Sequence, residues 1–108
     1  MTKPAARIGD SHNKGSIKTG SPNVIIGSQP AARVGDVIKC DKDPDGSINN
    51  SSACLIINGK RAARVGDTTD RDSVINSGMG NVLIADGDPF IEIGDTGKID
   101  IGPNVFFG

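Results

Sequence analysis

The chain repeats itself, and that repetition constrains its fold more than any other feature. Residues 21–36 read SPNVIIGSQPAARVGD, residues 52–67 read SACLIINGKRAARVGD, and residues 80–95 read GNVLIADGDPFIEIGD, with one residue inserted before the final Gly-Asp. Two partial copies flank them. Residues 4–10 (PAARIGD) carry only the ending of the unit, and residues 102–108 (GPNVFFG) only its beginning. Units too small to bury their own apolar faces must stack on one another. About three such units are few for an open solenoid, so closure around a shared axis is expected.

Each unit has simple physics. A short β-branched run (Val24-Ile25-Ile26, Leu55-Ile56-Ile57, Val82-Leu83-Ile84) reads as a first strand, because branching at Cβ favours the extended backbone. A polar turn follows at 27–30, 58–60 and 85–88. Asn58-Gly59 is a strong hairpin signal, since a type I′ turn needs positive φ at both central residues. The second strand is expected at Ala-Ala-Arg-Val or its equivalent, ended by Gly-Asp. A further arm is expected at Ser16-Ile17-Lys18, Ser47-Ile48-Asn49 and Ser73-Val74-Ile75-Asn76. The paired alanines (Ala5-Ala6, Ala31-Ala32, Ala62-Ala63) suit places where strands approach an axis and large side chains do not fit. The two half-repeats should complement each other and complete one unit. The expected fold is all-β: one domain over residues 1–108, a compact cone of short β-hairpin repeats around a pseudo-threefold axis, with little or no helix.

Composition excludes several functions. The net charge is −1 with both signs mixed along the chain, and Trp and Tyr are absent. A nucleic-acid footprint needs a basic face. No segment reaches the roughly 18 apolar residues of a membrane span. The opening Met1-Thr2-Lys3-Pro4 lacks the apolar run of a signal peptide, so synthesis in the cytoplasm is expected. Cys40 and Cys54 are too few for a disulfide framework.

The residues Pro4-Ala5-Ala6-Arg7, Pro30-Ala31-Ala32-Arg33 and Arg61-Ala62-Ala63-Arg64, with Ser21-Pro22-Asn23-Val24 before and Val34-Gly35-Asp36 after, resemble the PAAR-repeat family over essentially the whole chain. The resemblance implies a non-catalytic cone that caps and sharpens a trimeric β-helical, membrane-puncturing spike, of the VgrG-like or phage-tail kind, and can link effectors to it. It implies one chain per trimer, and assembly into a phage tail or a type VI secretion apparatus for delivery out of the cell. The alternative is a small β-repeat module that binds another protein or a surface ligand. An enzyme is disfavoured, because the single His12 has no nucleophile–base partner of a known motif near it in sequence.

The same resemblance implies a zinc or iron ion near the tip, held in the family by three His and one Cys. His12 and Cys40 match ligand positions, and imidazole with thiolate suits tetrahedral zinc. His12 is nevertheless the sole histidine, and Arg71 stands where the next repeat would carry its counterpart of Cys40. Asp70, Asp72 or Cys54 would have to substitute.

Three further features carry alternatives. Arg7, Arg33 and Arg64 each precede an Asp by three residues (Asp10, Asp36, Asp67), so they either pair within the repeats and fix the turns or contact the spike. Asp41, Asp43, Asp45 and Gly46 imitate the opening of a calcium loop, but Ser52 stands where its closing Glu belongs and Pro44 interrupts it, so an exposed turn is expected. Phe106 and Phe107 should lie on a closing strand, directed to the core or to the spike.

Overall fold

A computed structural model describes residues 2–87 and 91–108. The described strands are β1 (Thr2–Ala5), β2 (Ser11–His12), β3 (Gly15–Ile17), β4 (Val24–Ile26), β5 (Gln29–Pro30), β6 (Val37–Cys40) and β7 (Gly46–Asn50). They continue as β8 (Leu55–Ile57), β9 (Lys60–Arg61), β10 (Thr68–Thr69), β11 (Met79–Ala85), β12 (Ile91–Ile93), β13 (Ile99–Ile101) and β14 (Val105–Phe107). No helix occurs among the described residues. The all-β fold expected from the sequence is the fold observed.

Three hairpins of one register form the middle of the molecule. Ile25 pairs with Pro30 and Ile26 with Gln29; Ile56 pairs with Arg61 and Ile57 with Lys60. The third hairpin joins the two ends of the chain: β11 pairs antiparallel with β1, Leu83 opposite Pro4 and Ile84 opposite Lys3. The return strands are therefore the residues just before the alanines, and the turns are tighter than the sequence suggested. Gly27-Ser28 and Asn58-Gly59 have φ of 52° and 71°, and 53° and 79°, the all-positive pattern of a type I′ turn. Asp88, in the expected third turn, lies outside the described residues.

The alanines do something else. Ala6 N–H donates to Ala63 O (2.9 Å), Ala63 N–H to Ala32 O (2.9 Å), and Ala32 N–H to Ala6 O (3.0 Å). This closed ring of hydrogen bonds is the pseudo-threefold axis. A strand turns successive side chains to opposite sides, so each pair divides its methyls between two cores. Ala5, Ala31 and Ala62 join Val24, Ile26, Leu55, Ile57, Val82 and Ile84 in the base core. Ala6, Ala32 and Ala63 join Ile17, Ile38, Cys40, Ile48 and Ile75 in the tip core.

Beyond the ring the chain forms a curled sheet of order β10-β7-β6-β3-β2. The bridges Thr68↔Val74 and His12↔Ile75 carry the segment around Val74-Ile75 across its open side. The Gly-Asp pairs at 9–10, 35–36 and 66–67 make the bend from the ring into the tip. Gly9, Gly35 and Gly66 have φ of 89°, 94° and 96°, a left-handed setting that glycine adopts without steric cost.

The other end departs from expectation. Ile91-Glu92-Ile93 is not the return strand of the third hairpin. Instead β12 runs parallel to β8, β13 parallel to β4, and β14 parallel to β11. The last segment thus circles the base as one additional coil. The reason lies at the axis. In the sequence match, Ile91 takes the place of Ala32, yet three alanines already close the ring and leave no room for a larger side chain. The two half-repeats also do not meet: β1 and β14 lie on opposite edges of β11.

Candidate docking face and tip

Every repeat Arg is engaged inside the fold. Its backbone N–H and the Asp three residues on make a local clasp, at 2.9, 2.7 and 2.7 Å for Arg7–Asp10, Arg33–Asp36 and Arg64–Asp67. Its guanidinium then reaches the turn of a neighbouring hairpin: Arg7 donates to Gly27 O (3.1 Å), Arg33 to Asn58 Oδ1 (3.1 Å), and Arg64 to Ile84 O (3.2 Å) and Asp86 Oδ1 (2.6 Å). Of the two readings of these arginines, the geometry selects the architectural one.

The third clasp is the least regular. Arg33 holds Asp36 side-on, Nε to Oδ2 and Nη2 to Oδ1 both at 2.9 Å. Arg64 is pulled towards Asp86, leaving its Nε 3.6 Å from Asp67 and without a hydrogen-bond partner. Burial pushes the Asp67 carboxyl above its ordinary value and outweighs the attraction of Arg64. Hydrogen bonds from Arg64 and then Ser52 hold Asp86 below its ordinary value. The signs are opposite. Asp86 contributes stability that is full above the ordinary carboxylate range and is lost as pH falls through its depressed folded-state value. Protonating Asp67 relieves its buried charge, so that group favours the fold increasingly as pH falls. Asp86→Asn should therefore lose less Tm than the parent as pH falls below about 4, whereas Asp67→Asn should lose more than the parent while pH falls towards about 4, the range in which the raised Asp67 takes up its proton. Superimposable Tm profiles from pH 7 to pH 2 would contradict this assignment.

At the tip, His12 and Cys40 lie on the strands flanking Gly15, which pairs with both. Both side chains are buried. The ring of His12 is fully used: Nε2–H donates to Lys39 O at 2.9 Å, and Nδ1 accepts from Lys14 N–H at 3.3 Å. The matching positions two residues past the other Gly-Asp pairs are Ile38 and Thr69, and Thr69 shares a 2.6 Å hydroxyl bond with Ser73. Asp70 accepts from Ser47 N–H at 2.9 Å, and Cys54 belongs to the base core. No group of three or more His, Cys, Asp or Glu fit to hold a metal ion occurs among the described residues. The donors present do not fit the zinc or iron site that the sequence resemblance implied.

We therefore expect purified protein to carry no stoichiometric zinc or iron, and a chelator to leave its Tm unchanged. Replacing His12 by Ala should cost about 2 kcal/mol through two lost hydrogen bonds and the gap left behind. One zinc or iron per chain by elemental analysis, removed with loss of stability, would overturn this.

The acidic segment at 41–45 is an exposed turn tied to neighbouring parts of the chain. Asp45 pairs with Lys18 (2.9 Å), and its carbonyl accepts from Arg71 (3.1 Å).

The base is the face the sequence reading did not locate. Ile91 N–H donates to Cys54 O and Ile93 O accepts from Asn58 N–H; Ile99 N–H donates to Asn23 O and Ile101 O accepts from Gly27 N–H. Along a strand these groups alternate in direction, so the N–H and C=O of Glu92 and Asp100 face away from the molecule. Phe106 holds the same register position on β14. The inward side chains extend the base core by one layer: Ile93 lies beneath Ile57, Ile99 beneath Val24, Ile101 beneath Ile26, Val105 beneath Val82 and Phe107 beneath Ile84. The upper layer is sealed, each residue at most 1% exposed, while the lower layer is only partly buried. Phe107 packs against the core and Phe106 is 62% exposed. A signal for this coil was present in the alternation Ile91-x-Ile93, Ile99-x-Ile101 and Val105-x-Phe107.

The PAAR motif family model matches residues 1–41 and 10–77. The chain belongs to the PAAR-motif family. Family members are structural spike-tip components of secretion apparatus or phage tails. In this PAAR protein the match ends before β11, so the base coil lies beyond it. No curated protein matches the chain.

Proposed function

We propose that this PAAR protein caps the blunt end of a trimeric β-helical spike with its base and presents its tip outward, without catalysing a reaction. The base coil carries the reading. It offers three short edge strands, one per hairpin, whose outward N–H and C=O groups call for a strand partner. They surround an apolar core that continues to the base without being sealed there. The end of a threefold β-prism has both features in the matching symmetry. One chain with three similar sides can meet three identical chains, which resolves the mismatch in number. A phage tail or secretion apparatus is the working context on this reading.

Native mass measurement of a mixture with a cognate trimeric β-helical spike fragment tests it. One chain bound per trimer is expected. Three chains per trimer, or no complex with any cognate spike, would favour a β-repeat module for a different ligand.

A further inference from the structure

We infer that the spike end this chain caps carries a Lys or Arg at the outward position of its terminal strand, one from each of its three chains. The inference rests on the capping reading above and adds the chemistry of the partner's rim.

The three edge strands place equivalent residues in register: Glu92 beneath Ile56, Asp100 beneath Ile25, and Phe106 beneath Leu83. All three are exposed. Asp100 and Phe106 each stand between two inward neighbours and Glu92 stands beside the inward Ile93, Ile91 itself being 38% exposed, so each stands on a lateral face at the lowest rung. A strand added below would set its own outward residue next to each of them, at the cross-strand distance where side chains interact. A homotrimer supplies the same residue three times. One residue type must therefore suit two carboxylates and one phenyl ring. A carboxylate partner would repel Glu92 and Asp100, and an aliphatic one would leave them unpaired. A cationic side chain forms ion pairs with both acids, lays its methylene stem along apolar surface, and interacts with the face of Phe106.

The wider charge distribution agrees. Residues 91–108 hold three carboxylates (Glu92, Asp95, Asp100) against one ammonium (Lys98). Among the described residues Asp100 pairs with Lys98 at 3.8 Å, both largely exposed. The base is thus more acidic than the molecule as a whole, whose net charge is −1. Base-to-base pairing of two copies would oppose like charges, whereas a basic rim complements them.

The test uses the full chain and a trimeric β-helical spike fragment made in two versions, with Lys or with Glu at the outward position of the terminal strand. The parent chain should bind the Lys version at least about tenfold more tightly, with affinity falling as salt rises. Glu92→Lys combined with Asp100→Lys should reverse that preference. Phe106→Leu should weaken binding to the Lys version a few-fold, through loss of the ring. Tm measured on each variant controls for folding, since the substituted positions are exposed. If the parent binds both versions equally and the charge-reversed variant does too, the inference falls while capping stands. If the parent binds neither version, capping itself fails.

Discussion

Replacing Arg64 by Ala should destabilise the fold by about 3–5 kcal/mol, the cost of stripping the partner from a buried charge. The same change at Arg7 should cost no more than about 1–2 kcal/mol. The two arginines occupy equivalent places in the repeat, so the contrast isolates burial. The side chain of Arg64 is 0% exposed, that of Arg33 10% and that of Arg7 18%. Arg64 alone serves Asp67, Asp86, Ile84 O and the Ser52 hydroxyl together. Its removal leaves Asp67 buried with hydrogen bonds from the backbone and the Ser51 hydroxyl and the weaker attraction of Lys3. For a domain whose whole stability is on the order of 5–15 kcal/mol, that loss is large. Urea unfolding of the two variants side by side measures it. The double change Arg64→Met with Asp67→Asn should recover much of the loss, because it removes the stranded charge along with its partner. Equal losses at Arg7 and Arg64, or no recovery in the double variant, would show that the third clasp is no more buried in solution than the first.

The second large effect concerns binding. Asp100→Pro should weaken capping of a trimeric β-helical spike roughly 10- to 100-fold relative to Asp100→Ala. Proline lacks the N–H that faces the open edge, and its ring stands where a partner strand must lie. An acceptor left unpaired in a buried interface costs about 1–3 kcal/mol. The bonds of β13 to β4 run through Ile99 and Ile101, so the fold itself should change little in Tm. Alanine keeps the N–H while removing the carboxylate, which separates the backbone effect from that of charge. Comparable affinities for the two variants would mean that the base does not dock by strand addition.

The sequence and the structure agree most where residues repeat. Ile26, Ile57 and Ile84 occupy equivalent hairpin positions because the same letters meet the same neighbours three times. The alanine pairs were legible as axial for the same reason: a methyl group is all the ring admits. Agreement fails where letters match but neighbours differ. Ile91-Glu92-Ile93 aligns with Ala32-Arg33-Val34 and Ala63-Arg64-Val65, and Gly94 even keeps the left-handed bend with φ of 95°. Its position is set by an axis already closed by Ala6, Ala32 and Ala63, a long-range fact that no local pattern encodes. His12 depends for its surroundings on the same kind of long-range fact. Its place in the motif suggested a metal ligand, but the groups that engage its ring are the Lys39 carbonyl and the Lys14 amide, main-chain atoms whose positions depend on how β6 packs beside β3. The asymmetry among the three arginines is likewise a property of packing, decided by what stands opposite each: Gly27, Asn58 or Asp86.

Amide hydrogen exchange of the full chain, free and in complex with a trimeric β-helical spike fragment, tests the docking face most directly. Slowed exchange at the amides of Glu92, Asp100 and Phe106, with the tip turn at 41–45 exchanging as in the free chain, is the expected result. Protection confined to the tip turn, with those three amides exchanging as before, would contradict the assignment of the base as the face that meets the spike.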